Sequence, residues 1–366
     1  MPSAPRGLAA LAAALTALLA ACGGGATPVG PTNDPLLPTP RTAPAAPAVH
    51  VDGARLVDSA GRPVRLRGVN RSGTEFACVQ GRGIFDDPSD SASVAAIAAW
   101  GANVVRVPLN ESCWLGLDGV APAYAGAAYQ EAVADYVARL HRAGLAAVLE
   151  LHWTGLGTTP ETGQQPMPNR AHTPEFWRQV ATRFRGDPAA LFELFNEPFP
   201  DDNRDTPEAW RCWRDGGACA GVPFEAAGMQ ELVEAVRGAG APNVILLGGV
   251  RYAAHLSGWL AHRPPDPLGN TAAAWHVYNF SGCNARACWD AEAAPVAAEA
   301  PLLLTELGQD DGGSAFVTAL MDWMDAHEGG YLAWVWNVWG TPLDLVSRYD
   351  GTPTAYGATF RARLAR

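Results

Sequence analysis

Eight short apolar runs recur along the chain from about Val49, with longer amphipathic stretches between them. Runs of this length, rich in valine, leucine and alanine, are typical of buried strands rather than helices. Because they are apolar on both faces, they predict a parallel sheet covered by helices. The predicted strands are Arg65–Asn70, Asn103–Leu109, Ala146–Trp153, Leu191–Pro198, Asn243–Gly249, Ala272–Tyr278, Leu302–Leu307 and Tyr331–Asn337.

Helices are predicted between these strands, because apolar residues there recur on one helical face, as in Asp135–Leu140. The clearest are Tyr124–Ala143, Pro174–Phe184, Phe224–Ala239 and Ser314–His327. Eight strand–helix units predict an α/β fold, a single catalytic (β/α)8 TIM barrel over residues 49–366. An open doubly wound sheet is the alternative. It is disfavoured because no glycine-rich phosphate loop follows the first strand.

The N-terminal segment is predicted to direct export. Arg6 precedes an apolar stretch, Leu8–Ala21, that is too short to span a bilayer. Leu19-Ala20-Ala21-Cys22 resembles a bacterial lipobox, which predicts a signal peptide over residues 1–21 and lipidation of Cys22. The alternative is an ordinary secretory signal with an incidental cysteine. Residues 22–48, rich in glycine and proline, predict an extended tether. We therefore expect an exported protein, lipid-anchored to the cell envelope or secreted, with no other membrane contact.

Six further cysteines predict disulfide bonds, since an even number in an exported protein is typical of them. Cys212 with Cys219 and Cys283 with Cys288 are close enough to close single loops. Cys78 and Cys113 then remain as a third pair, although the sequence alone does not fix the pairing. A zinc site is the alternative, and no CxxC pair or nearby histidine pattern supports it.

Composition narrows the classes of function. The net charge is −11 and the basic residues are scattered, which argues against a nucleic-acid partner. All 26 basic residues are arginine, so lysine Schiff-base and pyridoxal phosphate chemistry are excluded. No histidine pair has the i,i+4 spacing of a metal site. We expect no cofactor, no metal and a monomeric protein.

Polar residues gather at the C-terminal ends of the predicted strands, where a barrel carries its active site. Two of them are glutamates, Glu197 and Glu306, each delivered by an apolar run of one strand's length. Two carboxylates facing each other across a cleft are what glycosidic bond cleavage requires. The other candidates are Asn70, Arg106, His152, Trp153, Asn196, His276, Tyr278 and Trp336.

At these residues the chain resembles glycoside hydrolase family 5, the cellulase family, whose members are retaining barrel glycosidases. The resemblance runs from about Val51 to the C-terminus. Its motifs are Arg67-Gly68-Val69-Asn70, Val104-Val105-Arg106-Val107-Pro108, Leu151-His152-Trp153, Phe195-Asn196-Glu197-Pro198, His276-Val277-Tyr278, Thr305-Glu306-Leu307-Gly308 and Trp334-Val335-Trp336. Glu150 stands where an aspartate is common.

The resemblance implies that Glu197 is the acid/base and Glu306 the nucleophile. Glu306 must stay ionised, and Arg106 and Tyr278 are the residues expected to hold it so. Glu193 is expected to be a salt-bridged structural residue that ends no strand.

The remaining candidates are expected to support or bind the sugar. Asn196 is expected to bond the sugar 2-hydroxyl. His152 and His276 are expected to contact the substrate or a carboxylate, with core histidines as the alternative. Trp336 is expected to stack under the sugar at the cleavage point. For Trp153 the sequence leaves two roles open, stacking on a sugar or packing within the protein.

These features predict a retaining glycoside hydrolase that cleaves a β-linked polysaccharide or oligosaccharide by double displacement. An endo-β-1,4-glucanase is expected first, and a β-mannanase or another β-glycanase of the same family is the alternative. A non-catalytic carbohydrate-binding lipoprotein is an alternative of another class. It would require loss of a key side chain, and all of them are present.

Overall fold

The computed structural model describes residues 44–117, 119–155 and 162–365. Eight parallel strands form a closed barrel. They are β1 Arg67–Asn70, β2 Val104–Asn110, β3 Ala146–Trp153, β4 Ala190–Glu193, β5 Ile245–Gly248, β6 Thr271–Tyr278, β7 Leu302–Gly308 and β8 Gly330–Ala333. Strand β8 pairs with β1, with Tyr331 opposite Arg67. The ring therefore has no free edge, which confirms the TIM barrel and excludes the open sheet.

Helices follow the strands around the outside of the barrel. The main ones are α1 Ser91–Ala98, α2 Ala127–Arg142, α3 Thr173–Phe184, α4 Met229–Gly238, α5 Trp259–His262, α6 Ala294–Glu299, α7 Ala315–Ala326 and α8 Ala355–Leu364. Further helical segments are Glu111–Leu115, Pro122–Tyr124, Pro200–Asn203, Pro207–Asp215, Arg286–Cys288 and Trp289–Ala293. Two-stranded ribbons pair His50–Asp52 with Arg55–Val57, Gly216–Ala218 with Glu225–Ala227, and Val346–Arg348 with Thr352–Pro353.

Buried side chains alternate between two apolar clusters along each strand. On β2, Val104 belongs to one cluster and Val105 to the other. The cluster of Val105 also contains Val133 and Leu140 of α2, so it lies between the sheet and the helices. The cluster of Val104 therefore fills the barrel interior. This alternation explains why the strands read as apolar on both faces.

Two helices begin three or more residues later than predicted, for local reasons. The helix predicted over Phe224–Ala239 begins only at Met229, because Glu225–Ala227 pairs with the strand Gly216–Ala218. Helix α2 begins at Ala127 rather than Tyr124, because Gly126 has a φ of 57°, outside the helical region.

The predicted signal peptide 1–21, Cys22 and the tether up to residue 43 lie outside the described residues. Residues 44–49 form no helix or strand and lead into the first ribbon. Within the described ranges, no helix combines the length and hydropathy that a bilayer crossing requires.

The three disulfides pair as expected: Cys78–Cys113, Cys212–Cys219 and Cys283–Cys288. The two members of each pair lie in segments that follow β1 and β2, β4, and β6, respectively. All three therefore cross-link the loops that surround the C-terminal end of the barrel.

Candidate active site

The structure brings most of the predicted site residues together at the C-terminal end of the barrel. Hydrogen bonds and ion pairs join Asn70, Arg106, Asn196, Glu197, His276, Tyr278 and Glu306 into one network. His152 joins the network through Glu150. Trp153, the last residue of β3, lies beside Phe76. Trp336 does not belong to it.

Arg106 lies at the centre of this network and is completely buried. Its Nη1 donates to Glu306 Oε1 at 2.6 Å and to Asn70 Oδ1 at 3.0 Å. Its Nε donates to Glu193 Oε2 at 2.7 Å, and Nη2 donates to Asn196 Oδ1 at 2.9 Å. Burial opposes the charge, but the surrounding carboxylates raise the pKa of Arg106 well above its ordinary value. The guanidinium thus fixes side chains from β1, β4 and β7 in one place.

Glu306, on β7, is held as a carboxylate. Arg106 donates to its Oε1, and the Tyr278 hydroxyl donates to its Oε2 at 2.5 Å. Burial favours the neutral acid, but the positive charges of His276 and Arg106 hold the pKa of Glu306 below its usual value. An ionised oxygen at a barrel mouth is suited to attack on an electrophilic carbon.

Glu197 lies four residues beyond the end of β4, and 17% of its side chain is exposed. His276 Nδ1 lies 2.9 Å from its Oε1, and the Gln164 side-chain nitrogen donates to its Oε2 at 3.1 Å. One oxygen of Glu197 and one of Glu306 lie within 4.8 Å of each other and of a His276 ring nitrogen. The two carboxylates therefore face each other across a narrow gap.

His276, on β6, connects both carboxylates to the buried network. Its Nε2 lies 3.0 Å from Thr305 Oγ1, which in turn donates to Glu193 Oε1 at 2.9 Å. Burial opposes protonation, but Glu306, Glu193 and Glu197 raise the pKa of His276 to about 10. The imidazole is therefore charged at neutral pH and donates from both nitrogens. It is a carboxylate contact, as the sequence predicted.

His152 is paired with a different carboxylate. Its Nδ1 lies 2.9 Å from Glu150 Oε2, and its ring stacks on Trp334 with centroids 5.9 Å apart. Burial lowers its pKa, but Glu150 outweighs this and raises the pKa of His152 to about 9. A second cation thus borders the cleft.

Glu193 has the structural position that the sequence predicted, with one correction. It is fully buried and bonded to Arg106, and its pKa lies below the usual value because Arg106 and His276 outweigh its burial. Glu193 is nevertheless the last residue of β4, whereas the sequence prediction had the strand continue to Pro198.

The prediction that Trp336 stacks under the sugar is wrong. Its side chain is completely buried, and it packs edge-on against Trp100 with ring centroids 4.7 Å apart. The prediction assumed that β8 continues to Asn337, but the strand ends at Ala333. Strand alternation therefore does not extend to Trp336. The indole at the strand end is Trp334, which is half-buried beside His152.

Aromatic side chains line the mouth in two groups, in different sectors of the ring of strands. The first comes from the segments after β1 and β8 and from the last residue of β3. In it, Phe76 lies 6.4 Å from Trp153 and 6.0 Å from Trp339, centroid to centroid. The second follows β4 and β5, where Phe199 and Tyr252 have centroids 4.7 Å apart. Tyr252 and Trp339 are about two-fifths exposed, so both groups reach the surface.

Two groups among the described residues place three metal-type ligand atoms close together. The first is Glu197, His276 and Glu306, but the charged imidazole already carries a proton on the nitrogen that a metal would need. The second is His255, Cys288 and Glu292, and its sulfur is bonded to Cys283. Neither donor set fits a resident ion, and the expectation of a metal-free site stays a prediction.

The structure also places residues at the site that the sequence analysis did not select. Thr305 links His276 to Glu193, and Gln164 contacts Glu197. Thr305 directly precedes Glu306, so its proximity follows from the motif. Trp334 belonged to the same motif as Trp336, and an earlier strand end would have identified it. Gln164 lies in a long loop, where no local pattern indicates which side chain turns inward.

A buried glutamate, Glu111, fixes both ends of the loop that carries Gln164. Its Oε1 accepts from Gly155 N at 2.8 Å and from Asn169 Nδ2 at 2.6 Å. Its Oε2 accepts from Thr173 Oγ1 at 2.5 Å. Burial raises the pKa of Glu111 to about 7, although all three donors oppose the shift.

A closed parallel barrel with two facing carboxylates at its mouth is the arrangement of the barrel glycosidases. The family model for cellulase, glycosyl hydrolase family 5, matches residues 57–340. The chain belongs to this family, and it is a β-glycanase by class.

Individual relatives divide between two substrates. The chain is 25% identical over 347 residues to a mannan endo-1,4-β-mannosidase of Streptomyces lividans, covering 89% of this chain and 78% of that protein. It is 22% identical over 289 residues to endoglucanase N of Pectobacterium atrosepticum, covering 78% and 55%, respectively. A β-glucanase of Saccharophagus degradans, solved in complex with cellotetraose, has a TM-score of 0.67 at 20% identity, covering 88% of this chain and 94% of that one.

We predict that Glu111→Gln removes a pH dependence of stability. The folded-state pKa of Glu111 is raised from 4.5 to about 7, so its contribution is fully present below the unfolded value and is lost as pH rises through about 7. The wild type should therefore lose about 2–3 kcal/mol relative to Glu111→Gln between pH 5 and pH 8. Urea unfolding at several pH values measures this difference.

Glutamine keeps the shape of the protonated acid and its bonds to the loop. Glu234→Gln, on the exposed face of α4, is the matched control and should run parallel to the wild type. Parallel curves for Glu111→Gln and wild type would show that Glu111 does not titrate in this range.

Proposed function

We propose that the protein is a retaining endo-β-1,4-glycanase, with β-1,4-glucan as the substrate expected first. Glu197 acts as acid and base, and Glu306 acts as nucleophile. The observation that carries this proposal is the approach of the two carboxylates, with an oxygen of each within 4.8 Å. Retaining glycosidases place their carboxyl groups about 5–5.5 Å apart, whereas inverting enzymes need a wider gap for water.

In the first step, Glu306 attacks the anomeric carbon, and the glycosidic oxygen leaves with the proton of Glu197. The bond from carbon to the leaving oxygen breaks as the bond to the glutamate oxygen forms. Arg106 and Tyr278 support the nucleophile, because their donors keep Glu306 ionised before the attack. The result is a covalent glycosyl-enzyme with inverted configuration.

In the second step, Glu197 takes a proton from water, and the water oxygen displaces Glu306 from the anomeric carbon. A second inversion restores the original configuration. His276 supports both steps, since its positive charge lies between the two carboxylates and stabilises whichever one is ionised.

Asn196 and Trp334 are proposed to hold the sugar at the cleavage point. Arg106 donates to the amide oxygen of Asn196, so the amide nitrogen of Asn196 is the atom that would donate to the 2-hydroxyl. Trp334 offers an indole face at the end of β8, where the apolar face of a sugar ring can stack. Asn70 is fully buried and acts through Arg106 rather than on the substrate.

The two aromatic groups at the mouth support a polymeric substrate. One group contains Phe76, Trp153 and Trp339, and the other contains Phe199 and Tyr252. Glu197 lies two residues before Phe199, so the second group adjoins the acid. A chain that stacks on both groups crosses the catalytic pair at an internal linkage, which is endo action.

β-Mannan is the second candidate substrate. The favouring observation is the similarity to the Streptomyces lividans mannanase, which spans 89% of this chain. Glucose and mannose differ in the orientation of the 2-hydroxyl, and the carboxylates do not distinguish them.

Export with an N-terminal lipid anchor is proposed as well. The three disulfides support an oxidising compartment, because such bonds rarely persist in a reducing cytosol. The lipobox-like sequence before Cys22 supports the anchor. Mass spectrometry of the N-terminal peptide from the native host tests it.

Purified protein should release reducing sugar from carboxymethylcellulose, and release from mannan but not cellulose would establish the second candidate. Xylan serves as the control polymer. Viscosity should fall early relative to reducing-sugar release, because endo cuts shorten chains quickly. A protein that binds these glycans but releases nothing would be a binding module, and the proposal would be wrong.

Glu306→Ala should lower turnover by on the order of 10⁴-fold or more, because the covalent route is lost. Azide should restore part of the activity on an activated aryl glycoside, giving a glycosyl azide of inverted configuration. Circular dichroism checks that the barrel is intact. Wild-type turnover in this variant, or an azide product of retained configuration, would contradict the assignment of Glu306.

Trp334→Ala and Trp336→Ala should have different effects. Loss of Trp334 should lower kcat/KM roughly 10–100-fold with little change in stability, because its indole is partly exposed at the end of β8. Loss of Trp336 should cost about 3–5 kcal/mol of folding free energy, because it empties a buried site. Kinetics and urea unfolding of both variants measure this, and a reversal of the pattern would restore Trp336 as the platform.

A further inference from the structure

The side chain of Gln164 contacts Glu197 twice. Its Nε2 donates to the Glu197 carbonyl oxygen at 2.9 Å and to the carboxylate oxygen Oε2 at 3.1 Å. His276 donates to the other carboxylate oxygen, Oε1, at 2.9 Å. Each oxygen of the proposed acid/base therefore has its own donor, one from β6 and one from the loop after β3.

The loop that carries Gln164 is held on both sides of the contact. Glu111 accepts hydrogen bonds from Gly155 and Asn169, which flank this loop segment. Pro166 O, two residues beyond Gln164, accepts from Phe199 N at 2.9 Å. Phe199 itself lies two residues beyond Glu197. The backbone bond and the side-chain bonds therefore join the same two segments, and they place the amide at a defined position.

The two oxygens of the Glu197 carboxyl group have different surroundings. Glu306 and Tyr278 lie on the same side as His276, since His276 Nδ1 is 3.7 Å from Glu306 Oε2 and Tyr278 bonds that same oxygen. The charged and titratable groups around Glu197 thus come from β6 and β7. Gln164 is the neutral donor to the other oxygen, and within the described ranges the only other side chain that donates to this carboxyl group is His276.

We propose that Gln164 is a positioning residue for Glu197, which holds the carboxyl group in the orientation that delivers a proton to the leaving oxygen. This inference rests on the proposed function of Glu197. Nε2 occupies one lone pair of Oε2 and leaves the other for the transferred proton. The bond to the Glu197 carbonyl oxygen keeps the amide in place while the carboxyl group loses and regains its proton.

The leaving group separates this role from a structural one. A dinitrophenolate leaves a sugar without protonation, whereas a phenolate or a sugar alkoxide needs the acid. The parameter kcat/KM reports the first step alone, in which the acid acts. Gln164→Met keeps the side-chain length and removes the donor. Its kcat/KM should fall roughly 10–100-fold on a phenyl β-glycoside and change less than about twofold on the dinitrophenyl compound.

The assay uses phenyl and dinitrophenyl β-cellobiosides, or the mannobiosides if the wild type cleaves only those. Gln165→Met is the matched control, because it makes the same chemical change one residue away and should match the wild type on both substrates. Gln164→Leu, which also removes the donor and adds no charge beside Glu197, should repeat the pattern of Gln164→Met. This variant replaces Gln164→Met in the assay if the methionine variant does not fold.

The outcomes separate this inference from the proposed function. A wild type that cleaves neither aryl glycoside defeats the proposed function. A wild type that cleaves both, with Gln164→Met lowered equally on the two substrates or unchanged on both, defeats only the role of Gln164. Equal losses in Gln165→Met would show that the loop, rather than the amide, matters.

Discussion

The site depends on one buried positive charge, the guanidinium of Arg106. It bonds Asn70 from β1, Glu193 from β4 and Glu306 from β7, so it ties together strands that are not neighbours. A buried cation is costly unless it is paired, and a buried carboxylate is equally costly without a cation. Each partner is therefore necessary for the others. The barrel mouth can contain ionised glutamates because Arg106 lies among them.

Two charged histidines continue this pairing of positive and negative charges toward the open side of the cleft. His276 joins Glu197 to Glu193 and Thr305, and His152 pairs with Glu150. The cations keep Glu306 negative although it is buried, which is the state a nucleophile needs. The neutral amide of Gln164 approaches Glu197 from outside this charged cluster. The two proposed catalytic glutamates therefore have different surroundings although they lie close together, and different surroundings suit different roles.

Much of this arrangement was predictable because it depends on periodic patterns. Strands that are buried on both faces reveal a covered parallel sheet, and their C-terminal ends identify Arg106, Glu197 and Glu306 as neighbours. The errors arose where a pattern stops. Strand alternation ends at Ala333, so Trp334 rather than Trp336 reaches the cleft. Gln164 was not predicted because its position is set by distant partners such as Glu111 and Phe199, and no local signal records them.

The location of the disulfides has a consequence for how such an enzyme can diversify. Each cross-link joins segments that follow strands, and none connects the strands of the ring to one another. The disulfides thus link the loop segments to one another, while the eight strands are held together by their own backbone hydrogen bonds. The loops after the strands can be exchanged, lengthened or cross-linked by different disulfides without altering the register of the strands. Sugar preference is therefore free to change in evolution while the proposed catalytic pair stays fixed.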